Sequence, residues 1–389
     1  MKKVVLAYSG GLDTSCAIKW LKDRGYEVIA FMANVGQREN FAAIEKRALQ
    51  TGAKRVYCLD LQKEFATDYI FPALKAGAVY ENKYLLATAL SRPLIAKHQV
   101  QIAKKEKAKA VAHGCTGKGN DQVRFETTFA LLAPGIEIVA PVRIWEFRTR
   151  GQEIDYAKRN HIPVDVTKKS PYSIDTNLYG RSIECGVLED PWTEAPEEVY
   201  HLTVDPQKAP NKPTYVTIEF VGGIPQKLNK KAYSPVALIH ALNKVGGQNG
   251  VGRVDSIENR LVGIKSREIY ENPAGTILHT AHQELEMLVL DRETLHFKQM
   301  MAQKYAELVY YGLWETPLKA QLDAYINQTQ KNVTGTVRLK LYKGNCTVVG
   351  RKSRYSRYKE KLATYGEKDI FDQRLAEGFL RLWSMPYQK

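Results

Sequence analysis

Apolar runs at residues 3–8, 27–35, 54–61, 108–113 and 136–142 alternate with stretches whose apolar positions recur at helical spacing, over 13–24, 39–51 and 85–107. The runs are rich in Val, Ile, Ala and Tyr. Strands covered on both faces read this way, whereas strands with one wet face alternate residue by residue. The pattern therefore predicts an α/β domain over residues 1–165, a doubly wound parallel sheet with helices on both faces. Its crossovers should be right-handed, and a ligand should sit beyond the carboxyl ends of its strands.

The rhythm breaks over residues 163–213, where seven prolines (Pro163, Pro171, Pro191, Pro196, Pro206, Pro210, Pro213) punctuate a stretch without periodicity. This predicts a linker followed by irregular loops. From 214 the sequence TYVTIEFVGGIPQKL predicts a hairpin, helical spacing follows at 234–245, 275–291, 294–314 and 317–330, and TGTVRLKLYKGNCTVVGRKS predicts a second hairpin turning at Lys343–Asn345. Residues 166–363 thus form a second, α+β domain. Over 364–389, Phe371, Leu375, Phe379 and Trp383 recur every four residues, predicting one terminal helix whose apolar stripe packs on a neighbouring subunit.

The first strand ends in YSGGLDTS, and helical spacing begins at once. Gly10 and Gly11 permit a tight turn and close approach of a ligand to the main chain. Asp13, Thr14 and Ser15 are expected to cap the helix that follows. Unpaired N–H groups and the helix dipole make such an end an anion site. The stretch is neither a Walker A loop, because no lysine follows the glycines, nor a GxGxxG dinucleotide turn. Further on, HGCTGKGNDQVRFE leaves an apolar run and enters a helix near Asn120. Asp121 and Arg124 share one face of that helix. A carboxylate beside a guanidinium suits a ligand that carries both an ammonium and a carboxylate, as an amino acid does.

The SGGLDTS turn resembles the pyrophosphate loop of the N-type ATP pyrophosphatases. Together with HGCTGKGNDQVRFE, SPYSIDTNLYGRSIECGVLEDPW and KYAELVYYG, the chain resembles the argininosuccinate synthases from residue 1 to beyond 350. That resemblance implies condensation of citrulline with aspartate, ATP being cleaved to AMP and pyrophosphate through an adenylylated intermediate. It implies a nucleotide-binding domain, a synthetase domain, a C-terminal oligomerisation helix at 364–389, a homotetramer, and Mg²⁺ bridging the phosphates. By the matching motifs, ATP would lie against Ala7, Tyr8, Ser9, Gly10, Gly11, Leu12, Asp13, Thr14 and Ser15, with Ala33 and Gly114 offering backbone. Citrulline would meet Tyr84, Asn120, Arg124, Ser173, Ser182, Glu258 and Tyr270; aspartate would meet Thr116, Asn120 and Asp121. One departure stands out. KYLLATALSRP has Ala89 where the family carries a serine on citrulline, so Thr88 or Ser91 is expected to supply the missing hydroxyl. Asp121 is expected either to orient the aspartate amine or to take its proton, and no dedicated metal cluster is expected.

Composition narrows the alternatives. The 389 residues carry a formal charge of +15, which favours anionic partners. No apolar run reaches the roughly 18 residues that span a bilayer. Five scattered cysteines without a CxxC suit a reduced, cytoplasmic protein. The basic charge would also suit a tRNA-thiolating enzyme of the same fold, but such an enzyme needs reactive cysteines, normally paired. A nucleotide-binding sensor without turnover is the remaining alternative. The scattered cysteines and the Asp121/Arg124 pair weigh against the first, and an intact pyrophosphate loop weighs against the second. Small molecules, rather than nucleic acid or membrane, are the expected partners.

Overall fold

The computed structural model describes residues 1–164 and 171–389; the expected domain boundary between 165 and 166 lies outside the described residues. The five apolar runs form β1 (Lys2–Ala7), β2 (Tyr26–Asn34), β3 (Arg55–Asp60), β4 (Ala110–Ala112) and β5 (Glu137–Val139). All neighbours pair in parallel, in the order β3-β2-β1-β4-β5. Val4 and Leu6 of β1 face one hydrophobic layer, with Ile18 and Leu21, while Val5 faces another, with Leu74 and Leu94. Burial of both faces explains why the strand reads as an unbroken apolar run.

The strand order reverses between β1 and β4. In open α/β sheets the crevice at such a switch point is where ligands bind. The fold therefore puts the two glycine-bearing loops, one after β1 and one after β4, on opposite lips of the same crevice.

The second unit is α+β, as expected, but holds two sheets. Its strands are β6 (Ser173–Thr176), β7 (Arg181–Glu184), β8 (Thr214–Val221), β9 (Ile224–Leu228), β10 (Lys231–Ala232), β11 (Arg253–Asn259), β12 (Lys265–Glu271), β13 (Gly335–Tyr342) and β14 (Asn345–Lys352). Both expected hairpins form, β8–β9 and β13–β14. Gly222 and Gly223 both have positive φ in the first turn, Lys343 and Gly344 in the second, as two-residue hairpin turns that match strand twist require. These strands make the sheet β10-β9-β8-β13-β14, and the helices Pro235–Gln248 and Pro273–Val289 pack on it.

The other sheet, β11-β12-β7-β6, corrects the expectation of loops over 163–213. Its strands are short and charged, so no apolar run announces them. A single hydrophobic core runs through both units, joining Phe31, Leu90 and Leu94 to Tyr270, Ile277 and Tyr305.

The tail also departs from expectation. The helix covers only Leu375–Ser384, and Phe371 lies before it. The Asp369 carboxylate accepts from the Phe371 N–H at 2.8 Å and the Asp372 carboxylate from the Arg374 N–H at 3.1 Å. Such local bonds offer the backbone an alternative to helix. Leu375, Phe379 and Trp383 are 68%, 58% and 63% exposed, so the apolar stripe does not dock on its own chain. Among the described residues no helix is long and apolar enough to cross a membrane.

Candidate active site

The loop after β1 is built around Gly10, whose φ is +78° and whose hypothetical Cβ would stand 2.7 Å from Ile44 Cγ2. Arg47 of the helix Phe41–Thr51 donates to the Gly10 carbonyl at 2.6 Å and holds the turn from behind. The helix that follows is Leu12–Asp23, and its N-cap is Gly11, which has no side chain to cap the first turn; the Gly11 N–H itself donates to the Ser9 hydroxyl at 3.4 Å. This corrects the expected capping by Asp13, Thr14 and Ser15. The Thr14 hydroxyl lies 3.1 Å from that of Ser9, and the Ser15 hydroxyl 3.0 Å from the Tyr8 phenol. With its side chains so occupied, the helix end keeps its backbone donors for a ligand, as an anion site requires.

Gly114 begins the loop after β4, and a Cβ there would lie 2.9 Å from Thr14 Cγ2. The two loops therefore touch at the switch point. His113 fastens the second loop: its Nδ1 accepts from the Cys115 N–H at 3.2 Å, which leaves Nε2 to donate to Glu126 at 2.9 Å. Gln122 adds a bond to the Gly117 carbonyl at 2.6 Å. Thr116 is left exposed at the loop's crest. Ala33 is the penultimate residue of β2, on the other side of β1, and its carbonyl accepts from Gln37 at 2.8 Å.

Asp121, Arg124 and Asn120 stand where the loop becomes the helix Asp121–Leu132. Asp121 is clasped by two guanidiniums, with Arg124 Nη1 on one oxygen at 2.8 Å and Arg92 Nε on the other at 2.8 Å. Burial would raise this carboxyl, but Arg92 and Arg124 outweigh it and hold Asp121 below the usual carboxylate range. Arg92 also pairs with Asp175 of β6 and so ties the first unit to the second. Neither Arg92 nor Asp175 was among the expected site residues.

The second unit closes the cluster. Ser182 of β7 stands opposite Tyr270 of β12 in the ladder, and Tyr270 stacks on Tyr84 with centroids 4.2 Å apart. Glu258 of β11 is 3% exposed, so it is no surface acid. It accepts from the Tyr270 and Tyr310 hydroxyls, both at 2.6 Å. Burial pushes its carboxyl up, and the two phenols with Arg124 offset only part of that rise. The Tyr84 hydroxyl accepts from the N–H groups of Thr88 and Ala89 at 3.0 and 3.1 Å, which caps the helix Ala87–Glu106 and leaves its own proton to give.

Tyr84, Asn120, Asp121, Arg124, Ser182, Glu258 and Tyr270 thus meet in one polar cleft between the units. Ser173 begins β6, exposed and opposite Glu184 in the ladder, two residues before Asp175. Of the two hydroxyls that could answer for Ala89, Ser91 is fully buried and turned back onto the Thr88 carbonyl at 2.9 Å. Thr88 is the one at the cleft, 3.2 Å from the Ser182 hydroxyl.

Comparison with known proteins agrees with this geometry. The arginosuccinate synthase N-terminal HUP domain model matches residues 3–163, and the C-terminal domain model matches residues 172–389. The argininosuccinate synthase of Caldanaerobacter subterraneus subsp. tengcongensis is 58% identical over 385 residues, covering 99% of this chain and 94% of that protein. That of Acetivibrio thermocellus is 57% identical over 387 residues, covering 99% and 96%. A solved 4-thiouridine synthetase–RNA complex with bound ATP is 19% identical over 41% of this chain and 40% of its own, with a TM-score of 0.30, too low to carry an argument.

Proposed function

The chain belongs to the argininosuccinate synthase family, and on that premise we propose how its residues share the reaction. The enzyme is a ligase that condenses citrulline with aspartate at the expense of ATP, through citrullyl-AMP, releasing AMP and pyrophosphate. The thiolation alternative is not favoured. Burial, with Glu153 and Asp13 nearby, pushes the Cys16 thiol up to about 12, and burial raises Cys115 as well, so neither suits a reactive thiolate.

The chemical difficulty is that a ureido carbonyl is a poor electrophile. Transfer of AMP to its oxygen supplies a leaving group; the aspartate amine then attacks the carbon and AMP departs. Pyrophosphate leaves first, so the open N–H groups at Leu12–Thr14 would receive the β,γ end of ATP, with Ala7–Ser15, Ala33 and Gly114 around the nucleotide. Ser9, Asp13, Thr14 and Ser15 offer only oxygen donors, which suits Mg²⁺ held chiefly by phosphate and water, with Asp13 as its protein carboxylate. When bound, the ion would neutralise charge on the departing diphosphate.

In the cleft, Arg124 would take the citrulline carboxylate and Glu258 its ammonium, with Tyr84, Asn120, Ser173, Ser182 and Tyr270 completing the contacts. Thr88 would supply the hydroxyl that Ala89 lacks. Asp121, with Thr116 and Asn120, would hold aspartate by its ammonium. Two flanking guanidiniums make Asp121 a weak base, so it orients the amine rather than deprotonating it. Rate acceleration then comes from positioning and charge neutralisation. The exposed stripe on Leu375–Ser384 fits packing in a homotetramer, and the free state of all five cysteines fits a cytoplasmic setting.

The observation that carries this reading is the meeting of the two loops at the β1/β4 switch point beside a buried cleft of acid, guanidinium and phenol groups. A turnover assay with ATP, citrulline and aspartate, each omitted in turn, tests it. AMP and pyrophosphate should accumulate only with all three, and AMP formation that needs tRNA instead would refute it.

A further inference from the structure

Tyr310 ends the helix Arg292–Tyr310 and is fully buried. It has no part in the reaction as described, yet it hydrogen-bonds three of the residues placed around citrulline. The Asn120 amide donates to its hydroxyl at 2.8 Å, and that hydroxyl donates to Glu258 Oε1 at 2.6 Å. Its backbone carbonyl accepts from Arg124 Nε at 3.0 Å, and the Arg124 guanidinium lies 4.9 Å from its ring centroid. The ring stacks on Tyr80 with centroids 3.6 Å apart.

The direction of these bonds is fixed by counting protons. A phenol has one proton to give, and an ionised carboxylate only accepts. With Glu258 ionised, the Tyr310 proton goes to Glu258, so the Tyr310 oxygen must accept from Asn120. The amide nitrogen of Asn120 then faces Tyr310 and its carbonyl oxygen faces away. That oxygen accepts from the Leu261 N–H at 2.9 Å, a group that can only donate. Two independent partners thus demand the same orientation of the amide. One N–H and one lone pair of Asn120 remain for substrate.

We infer that Tyr310 is a positioning residue for both amino-acid substrates, its hydroxyl fixing the Asn120 amide on the aspartate side and one Glu258 oxygen on the citrulline side. This rests on the site reading above. Tyr270 gives the natural contrast, because its hydroxyl also donates to Glu258 but makes no bond to Asn120.

The test compares Tyr310→Phe with Tyr270→Phe in the full-length enzyme. Tyr310→Phe keeps the ring, the stack and the backbone acceptor, and removes one hydroxyl. It should raise the KM of citrulline by roughly 10- to 100-fold, the range for losing a hydrogen bond to a charged group, raise that of aspartate by roughly 2- to 10-fold, the range for a neutral one, and leave the KM of ATP unchanged. Tyr270→Phe should raise the KM of citrulline alone. An aspartate KM that rises no more in Tyr310→Phe than in Tyr270→Phe overturns the inference.

Should Tyr310→Phe not fold, 3-fluorotyrosine at 310 keeps the shape and strengthens the donor. The acidic limb of citrulline kcat/KM should then move to lower pH, because the ionised form of Glu258 gains; an unmoved limb overturns the inference. The other groups facing Glu258, namely Tyr80, Tyr84, Arg124, Arg260, Glu268 and Tyr270, are unchanged in that protein. Glu258→Gln separates the two levels: if it leaves the citrulline KM unaltered, the site reading itself fails rather than the role of Tyr310.

Discussion

Replacing Asp121 by asparagine keeps the shape of the side chain and removes its charge. The native carboxylate accepts one bond from Arg92 and one from Arg124, each 2.8 Å long and one on each oxygen. An amide has a single acceptor oxygen and can answer only one of them. Hydrogen bonds to charged groups contribute about 1.5–3 kcal/mol. The substrate ammonium loses a partner of the same kind, so the aspartate KM should rise by about 10- to 100-fold. Part of the protein–protein loss is returned by water, since the Asp121 side chain is 27% exposed. Adenylylation of citrulline would use the β1 loop and not the aspartate amine. Citrulline-dependent exchange of labelled pyrophosphate into ATP should therefore survive in Asp121→Asn, while argininosuccinate formation at low aspartate collapses. An unchanged aspartate KM, or exchange that falls by the same factor as overall turnover, would refute the division of the cleft into two half-sites. The pH dependence follows from the same contacts. A depressed carboxyl keeps its charge as pH falls until its lowered pKa is crossed, so Asp121 should not limit activity near neutrality.

Gly114→Ala places a methyl group 2.9 Å from Thr14 Cγ2 without backbone strain; the KM of ATP should rise at least several-fold with those of the amino acids unchanged, as steady-state kinetics will show. The Glu153 carboxyl is pushed up to about 8 by burial and by neighbouring Asp13. A raised carboxyl imposes a stability cost that is absent below its unfolded pKa, grows as pH rises from there and is complete above the folded value, so Glu153→Gln should raise Tm at pH 8–9 and leave it unaltered at pH 4. Deleting residues 364–389 should lower the particle mass seen by light scattering; an unchanged mass would remove the tail from the subunit contacts.

What the sequence discloses follows from burial. Strands β1, β2 and β4 were legible because both their faces are covered, and the half-exposed β3 and β5 because they still carry Val56, Tyr57, Leu59, Ile138 and Val139. Strands β6, β7, β11 and β12 were not, because SIDT, RSIE, RVDSIEN and KSREIYE carry the cleft's own acids and hydroxyls and ion pairs such as Arg260 with Glu184 and Glu268. The local motif singled out Asn120, Asp121 and Arg124, which stand together in the structure because they lie within about one helical turn. Arg92 and Tyr310 escaped because their partners are remote: Asp121 is 29 residues from Arg92, and Asn120 is 190 from Tyr310. The four-residue spacing of the tail found its apolar stripe, but Asp369 and Asp372, whose side chains bond the backbone before Leu375, signalled the later helix start.

The central claim is that the citrulline ureido oxygen attacks the α-phosphorus of ATP while the β1 loop receives the diphosphate. Turnover of citrulline labelled with ¹⁸O in the ureido group tests this directly. The account predicts that the label appears in AMP and that pyrophosphate stays unlabelled; label in pyrophosphate, or formation of ADP, would contradict it.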